Sequence, residues 1–179
     1  MTDKLKRILL VIITVVITAV IYMNIPFTLS FVSGKSMYPQ FDDNDVVLCK
    51  RLYTKEQVKE NISYGDVVVA KISGSYGPYL IKRVVGLPGD RIRIIEGQLY
   101  VNDSLLDLGI VFDDMVQTGD ALSNQKEIVV PDDSYFLLGD NRNNSSDSRE
   151  YGTFDEIKFK VLKKLFWAKG IQNVWQVQG

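Results

Sequence analysis

The 179 residues contain no histidine and a single cysteine, Cys49. Without histidine, no hydroxyl in this chain can be activated through an imidazole, the commonest general base. The same shortage removes the usual nitrogen and sulfur ligands, so no metal site and no cofactor is expected. One cysteine cannot form an internal disulfide. Beside Val46, Val47 and Leu48, it reads as a small buried hydrophobe. A basic surplus is also missing: 21 Lys+Arg face 22 Asp+Glu for a net charge of -1. That balance argues against nucleic acid as a partner. With 46% hydrophobic and 24% charged residues, the composition is globular, and the length suits one domain plus an appended segment.

The appended segment is N-terminal. Ile8 to Met23 carries no charge, and its polar side chains are only Thr14, Thr18 and Tyr22. With Leu5 before it and Ile25, Pro26 and Phe27 after it, the run approaches the roughly 20 residues that span a bilayer. Lys4, Lys6 and Arg7 precede it, and no further basic residue appears until Lys35. The positive-inside rule then predicts a cytoplasmic N-terminus over 1–7, an anchor over 8–27 and an extracytoplasmic domain over 28–179. No small-residue cleavage site follows the run, as a removable signal peptide would require.

The domain reads as mostly β. Short strand-like runs at Val46–Leu48, Val67–Ala70, Leu80–Val85, Arg91–Ile95, Leu99–Val101, Ile128–Val130 and Tyr135–Leu138 alternate with turn signals. Among these are Gly74-Ser75 and Pro88-Gly89-Asp90. Thr54 to Asn61 is the one short helical segment, with Thr54 as N-cap and Gln57 in the capping-box position. Residues 103–127 are less patterned and suggest a small excursion from the main sheet.

Three stretches carry chemistry. The first, FVSGKSMYPQF (Phe31 to Phe41), sets Ser36 in a turn-rich segment just beyond the apolar run. A serine without histidine needs another base, and a lysine kept neutral by apolar surroundings can serve. Lys35 is adjacent, but neighbouring side chains in an extended segment diverge, so solvent is its expected place. In YLIKRVVGLPGD, alternation puts Leu80, Lys82 and Val84 on one face and Ile81, Arg83 and Val85 on the other. Lys82 is thus flanked by aliphatic groups, although a solvated edge-strand lysine would show the same window. The third stretch, LLGDNRNNSSDSREYG (Leu137 to Gly152), is dense in Asp, Asn, Ser and Arg. It suits an ordered loop of Asx and Ser turns with Asp–Arg pairs, or equally a solvated surface loop.

Taken together, SGKSMYP, KRVVGLPGD and GDNRNNSSDSREYG resemble, in order, the signature boxes of the bacterial type I signal peptidases. YGDVVV (Tyr64 to Val69) and GQLYVND (Gly97 to Asp103) resemble the stretches between and after them. The likeness is closest to the small Gram-positive-type members and extends over nearly the whole chain. It implies an antiparallel β fold shared with the LexA-type repressors and a serine endopeptidase that removes signal peptides from secreted preproteins. By motif position, Ser36 would be the nucleophile, Lys82 the general base, and Ser145 the group that orients the lysine amine. Asp147 and Arg149 would form a supporting ion pair, while Asp140 and Arg142 would brace the same loop. Met37 and Pro39 would wall the nucleophile, and the Ser36 N–H would donate to the oxyanion.

Gly34 stands where some members carry a serine that provides a second oxyanion donor, and Ser33 is a substitute. Asn143 replaces a frequent Asp, and Gln40 a frequent Thr. The implied partners are preproteins and the lipid bilayer. The sequence leaves the oligomeric state open. Near the C-terminus, Lys158, Lys160, Lys163, Lys164 and Lys169 mix with Phe159, Phe166, Trp167 and Trp175. This pattern suits a headgroup interface, or a final strand or helix with a solvated basic face. Two rival readings share the fold: a non-catalytic assembly factor for surface fibres, and a LexA-like self-cleaving protein. Retention of Ser36 and Lys82 speaks against the first. An N-terminal apolar run in place of a DNA-binding domain speaks against the second.

Overall fold

The computed structural model describes residues 3–23, 25–72, 78–110, 112, 127–167 and 176–178. Helix α1 runs from Asp3 to Met23, and every side chain from Asp3 to Val20 is exposed. Both threonine hydroxyls are satisfied within the helix: Thr14 Oγ1 donates to Leu10 O at 2.9 Å and Thr18 Oγ1 to Thr14 O at 2.8 Å. Among the described residues, no helix is long and apolar enough to cross a membrane. The charge-free stretch from Ile8 to Met23 rises only about 24 Å, against a hydrocarbon core of roughly 30 Å. The expected span over 8–27 is therefore shorter as a helix than the sequence suggested. Pro26 explains the difference. It disfavours helical backbone at Ile25, and Phe27 opens a strand instead of closing the apolar run.

That strand, β1 (Phe27–Ser33), pairs antiparallel with β2 (Asp45–Arg51) from Phe27 opposite Lys50 to Phe31 opposite Val46. After α2 (Lys55–Asn61) come β3 (Val67–Lys71) and β4 (Leu80–Gly86), antiparallel with Val68 opposite Lys82. An outer hairpin follows, β5 (Arg91–Ile95) and β6 (Gln98–Val101), with short β7 (Ser104–Leu105) and β8 (Ile128–Val129) at its two edges. The chain returns through β9 (Phe136–Leu138) and α3 (Ser148–Tyr151). It ends in the long β10 (Glu156–Trp167) and in β11 (Gln176–Gln178).

The main sheet has the order β11-β1-β2-β10-β3-β4-β9, and β11 also pairs with β4, so six of its strands close on themselves. The outer sheet is β7-β6-β5-β8. The pairs are antiparallel except those of β11. The mostly β, antiparallel expectation is met. All the strand runs read from the sequence are strands, while β1 and β10 were not separated from the apolar and basic patterns that cover them. Of 103–127, the described part holds β7, and residues 111 and 113–126 lie outside the described residues, as does the Gly74-Ser75 turn. The C-terminal basic segment is strand through Trp167; Lys169 and Trp175 also lie outside the described residues.

Three apolar clusters hold these layers. One packs α2 through Val58 against Val68, Ala70, Leu80, Val84, Leu137 and Phe154. A second lies between the closed strands, with Val47, Cys49, Val69 and Ile81. The third joins the two sheets through Val85, Ile92, Leu99, Phe136 and Leu138. Gly86 marks the junction. A Cβ there would come within 2.8 Å of both Ile92 Cδ1 and Phe136 Cβ, so a larger residue would push the sheets apart. Helix α2 is capped as its sequence predicts, with Thr54 Oγ1 accepting from Gln57 N at 3.2 Å. Gln57 Oε1 reaches back to accept from Tyr53 N at 2.8 Å. Cys49 is fully buried, and burial pushes its thiol up to about 11, as befits an inert core residue.

Candidate active site

Strand β4 is buried along its whole length, and this decides the fate of its two cations. Lys82 shares a face with Leu80 and Val84, is only 1% exposed, and sits opposite Val68 in the sheet. Its Nζ donates to Ser36 Oγ at 2.7 Å, and Ser36 is itself 3% exposed. Burial lowers the Lys82 ammonium from 10.5 to about 8, the carboxylates of Asp147 and Asp140 working against that fall. At neutral pH about a tenth of such amines are uncharged, compared with well under one in a thousand for a solvated lysine. In the neutral form the hydrogen bond reverses. The amine lone pair then accepts the Ser36 O–H, the arrangement a general base requires.

Arg83 points its guanidinium the other way. Its Nε and Nη2 each donate to one oxygen of Asp140 at 2.6 Å, and Nη1 donates to Gly65 O at 2.5 Å. Asp140 therefore finds its ionic partner on β4 and not in Arg142. Arg142 is held by its backbone N–H to Asp140 O at 3.0 Å, by Nε to Gly139 O at 3.1 Å, and by the Phe112 ring 4.0 Å below its guanidinium. Its burial lowers the guanidinium only to about 10, so it stays charged. The sequence motifs assign Arg83 no role. The signal was there: a run apolar on both faces is a strand covered on both faces, and its arginine must then be paired.

Asp147 and Arg149 form the ion pair that the resemblance implies. Arg149 Nε and Nη2 donate to the two oxygens of Asp147 at 2.9 and 2.8 Å, and Arg149 Nη2 also reaches Ser145 O at 3.2 Å. Asp147 Oδ2 additionally accepts from Gly139 N at 3.0 Å, tying the pair to the end of β9. The Ser145 hydroxyl is buried and has no hydrogen-bond partner among the described residues, so it does not reach the lysine amine in this arrangement. It lies beside Gly139, where an added Cβ would come within 2.2 Å of Ser145 Oγ and 2.6 Å of Ser36 O. Only glycine lets the two loops meet there.

The Ser36 loop follows β1. Gly34 has a positive φ of 95°, and its N–H donates to Asp43 Oδ1 at 2.9 Å, so it is turned toward the β1–β2 connection. Ser33 is the last residue of β1 and is half-buried. Met37 is fully buried in the cluster with Val47 and Ile81, whereas Pro39 is exposed, so of the two expected wall residues only Met37 is part of the core. Lys35 is exposed. The sequence reading missed Asn141 entirely: its backbone N–H donates to Ser36 O at 2.9 Å and its Nδ2 to Lys35 O at 3.1 Å. Three elements thus converge on one hydroxyl–amine pair with buried ion pairs behind it and no metal-binding cluster among the described residues.

Comparison with known proteins shows the family of the chain. The family "Signal peptidase, peptidase S26" matches residues 5–166. The chain belongs to the signal peptidase family. It is 35% identical over 144 residues to signal peptidase I of Bacillus amyloliquefaciens, covering 77% of this chain and 74% of that relative. Over 145 residues it is 31% identical to probable signal peptidase I-2 of Synechocystis, covering 78% of this chain and 62% of that relative's length. A crystal structure of a signal peptidase I from Enterococcus faecalis aligns at 28% identity with a TM-score of 0.45, over 57% of this chain and 97% of that one. As a signal peptidase I, the molecule is a peptidase of signal-peptide-bearing precursors. The residues matched by the family run from α1 into β10 and include all three converging loops.

Proposed function

We propose that this signal peptidase is a membrane-anchored serine endopeptidase working through a Ser36–Lys82 dyad. The observation that carries the reading is the 2.7 Å contact between two nearly solvent-free side chains, Lys82 Nζ and Ser36 Oγ. Neutral Lys82 takes the Ser36 proton as Oγ attacks the scissile carbonyl carbon. The resulting ammonium then protonates the leaving amine. Water enters next, Lys82 accepts its proton, and the acyl–Ser36 ester is hydrolysed to regenerate the hydroxyl. The Ser36 N–H donates to the oxyanion, whose removal in comparable enzymes costs about 100- to 1,000-fold. With Gly34 N–H engaged by Asp43, Ser33 is the remaining candidate for a second donor. Ser145, buried without a partner, turns its hydroxyl to the Lys82 amine when substrate closes the site, relieving the cost of its unsatisfied state.

Anchorage rests on α1. From Ile8 to Val20, α1 carries no charge and is exposed throughout, and a bilayer provides the apolar surrounding such a stretch needs. Lys4, Lys6 and Arg7 can snorkel toward the headgroups, so that a charge-free stretch of about 24 Å is accommodated with slight local thinning. Those basic residues favour the cytoplasmic side for the N-terminus, with the β domain outside. Phe27 and Leu29, exposed on β1 directly after the helix, continue the apolar surface into the catalytic domain. A peptidase so tethered searches for cleavage sites in the plane where its precursors lie.

The test is cleavage of a preprotein by the detergent-solubilised full chain and its Ser36→Ala variant. The variant is expected to fold normally and lose activity by several orders of magnitude. Retention of a substantial fraction of the parental rate would overturn Ser36 as nucleophile. Protease added to intact cells should digest the β domain; protection until lysis would reverse the topology.

A further inference from the structure

The Asn141 side chain of the 139–147 loop hydrogen-bonds to the Ser36 loop, and what it bonds to is informative. Its Nδ2 donates to Lys35 O at 3.1 Å, and Tyr38 N donates to the same oxygen at 3.1 Å. The Lys35 carbonyl and the Ser36 N–H belong to a single peptide unit, which is planar and in its trans form points the two in opposite directions. Whatever holds Lys35 O therefore aims the Ser36 N–H. The Asn141 backbone N–H meanwhile takes Ser36 O at 2.9 Å, so both peptide units flanking the nucleophile are pinned from the same residue. Donors at a carbonyl also polarise the amide of that unit and strengthen the bond its N–H makes.

We propose that Asn141 is a positioning residue that orients and polarises the Lys35–Ser36 peptide as the oxyanion donor. The inference rests on the Ser36 dyad reading and adds a residue to it. Asn141 makes no hydrogen bond to Ser36 Oγ or Lys82, so its side chain acts on the transition state through the backbone and leaves the general base alone. The preceding residue, Asp140, is held by Arg83, and the Asn141 backbone N–H donates to Ser36 O whatever the side chain, so the loop stays in place when the amide is removed. The separation is clean: truncating the side chain deletes the bond to Lys35 O and keeps the one to Ser36 O.

The experiment compares the parental full chain, Asn141→Ala and Asn141→Asp in detergent, with Ser36→Ala alongside. A cleavage-site peptide is the substrate and a peptide aldehyde of the same sequence the transition-state mimic. Expected for Asn141→Ala is a fall of about 10- to 100-fold in kcat, the scale of a misplaced oxyanion donor. KM and the pH at which the rate rises should stay put, and aldehyde affinity should fall by the same factor as kcat. Asn141→Asp, which sets a carboxylate against the Lys35 carbonyl, should be worse than Ala. A kcat within twofold of parental in Asn141→Ala overturns the proposal. So does a loss shared with KM or with the melting temperature, which would mark a merely structural role, or a shifted pH midpoint, which would mean action on Lys82. An active Ser36→Ala would instead sink the dyad reading itself, a result the Asn141 variants cannot mimic.

Discussion

Arginine–carboxylate pairs occur in two regions of the molecule with opposite surroundings. Behind the candidate site, Arg83–Asp140 and Arg149–Asp147 are almost entirely buried and bidentate. On the outer hairpin, Arg91 and Arg93 both contact Asp103, and Arg93 lies 3.8 Å from Glu127, with these side chains a third to a half exposed. Water can replace the partner of an exposed charge, so the outer cluster adds little to stability. Nothing can replace it in the interior, where each carboxylate accepts two bonds from one arginine and Asp147 also accepts from the Gly139 and Arg149 N–H groups. Lys82 lies among these paired charges yet has a hydroxyl, not a carboxylate, within hydrogen-bond reach. The arginines cannot give up their protons, and the lysine can. A cluster that commits both carboxylates to arginines and leaves Lys82 with a hydroxyl in place of a counter-ion is the setting that makes a neutral amine.

The largest effect should come from denying that amine its deprotonated state. Lys82→Arg is expected to be as inactive as Lys82→Ala, down by several orders of magnitude in preprotein cleavage, while Lys35→Ala keeps most of the rate. An active Lys82→Arg would end the comparison, since a permanent cation could then stand at the site. In the parental enzyme kcat/KM should climb about tenfold per pH unit below about 8 and level off above it, following the lowered Lys82 value. A midpoint near the solution lysine value would show that burial is not what tunes the base.

Breaking a buried pair comes next. Asp140→Asn leaves Arg83 charged in the interior and should cost about 3–5 kcal/mol in chemical denaturation. Lys82→Met should act in the other direction. The folded-state value lies below the unfolded one of 10.5, so between about 8 and 10.5 the unfolded chain binds more protons and parental stability rises with pH. Below about 8 both states are charged and the full burial cost is present. There Lys82→Met should be up to about 3 kcal/mol more stable than the parent, the gap closing toward pH 10.5. The smallest change is Asp103→Ala, expected at about 0–1 kcal/mol and shrinking with salt. A large loss there would erase the contrast between the two regions.

Much of this arrangement is readable in one dimension because its causes are local. Alternation in LIKRVVG identifies a strand and places Lys82 between Leu80 and Val84; Thr54 and Gln57 announce α2; the Asp147–Arg149 pair, expected from the family resemblance, forms between near neighbours. The missing histidine alone directs attention to a lysine base. Other features depend on partners far along the chain. Strand β1 alternates Phe27, Leu29 and Phe31, but that pattern merges with the preceding apolar run until pairing with β2 separates them. The 12 residues of β10 read as a basic segment and become the strand between β2 and β3, with Lys160 and Lys164 turned to Asp66 and Asp45. That Asp140 chooses Arg83 over Arg142, and that Asn141 reaches two carbonyls more than a hundred residues away, follows from β9 lying antiparallel on β4 and carrying its loop across to the end of β1. Sequence by itself determined which residues could do the chemistry, since side-chain type and local periodicity are written there. Only the tertiary structure decided which charges lose their water and which partner each one meets, because burial and pairing are properties of strands brought together across the chain.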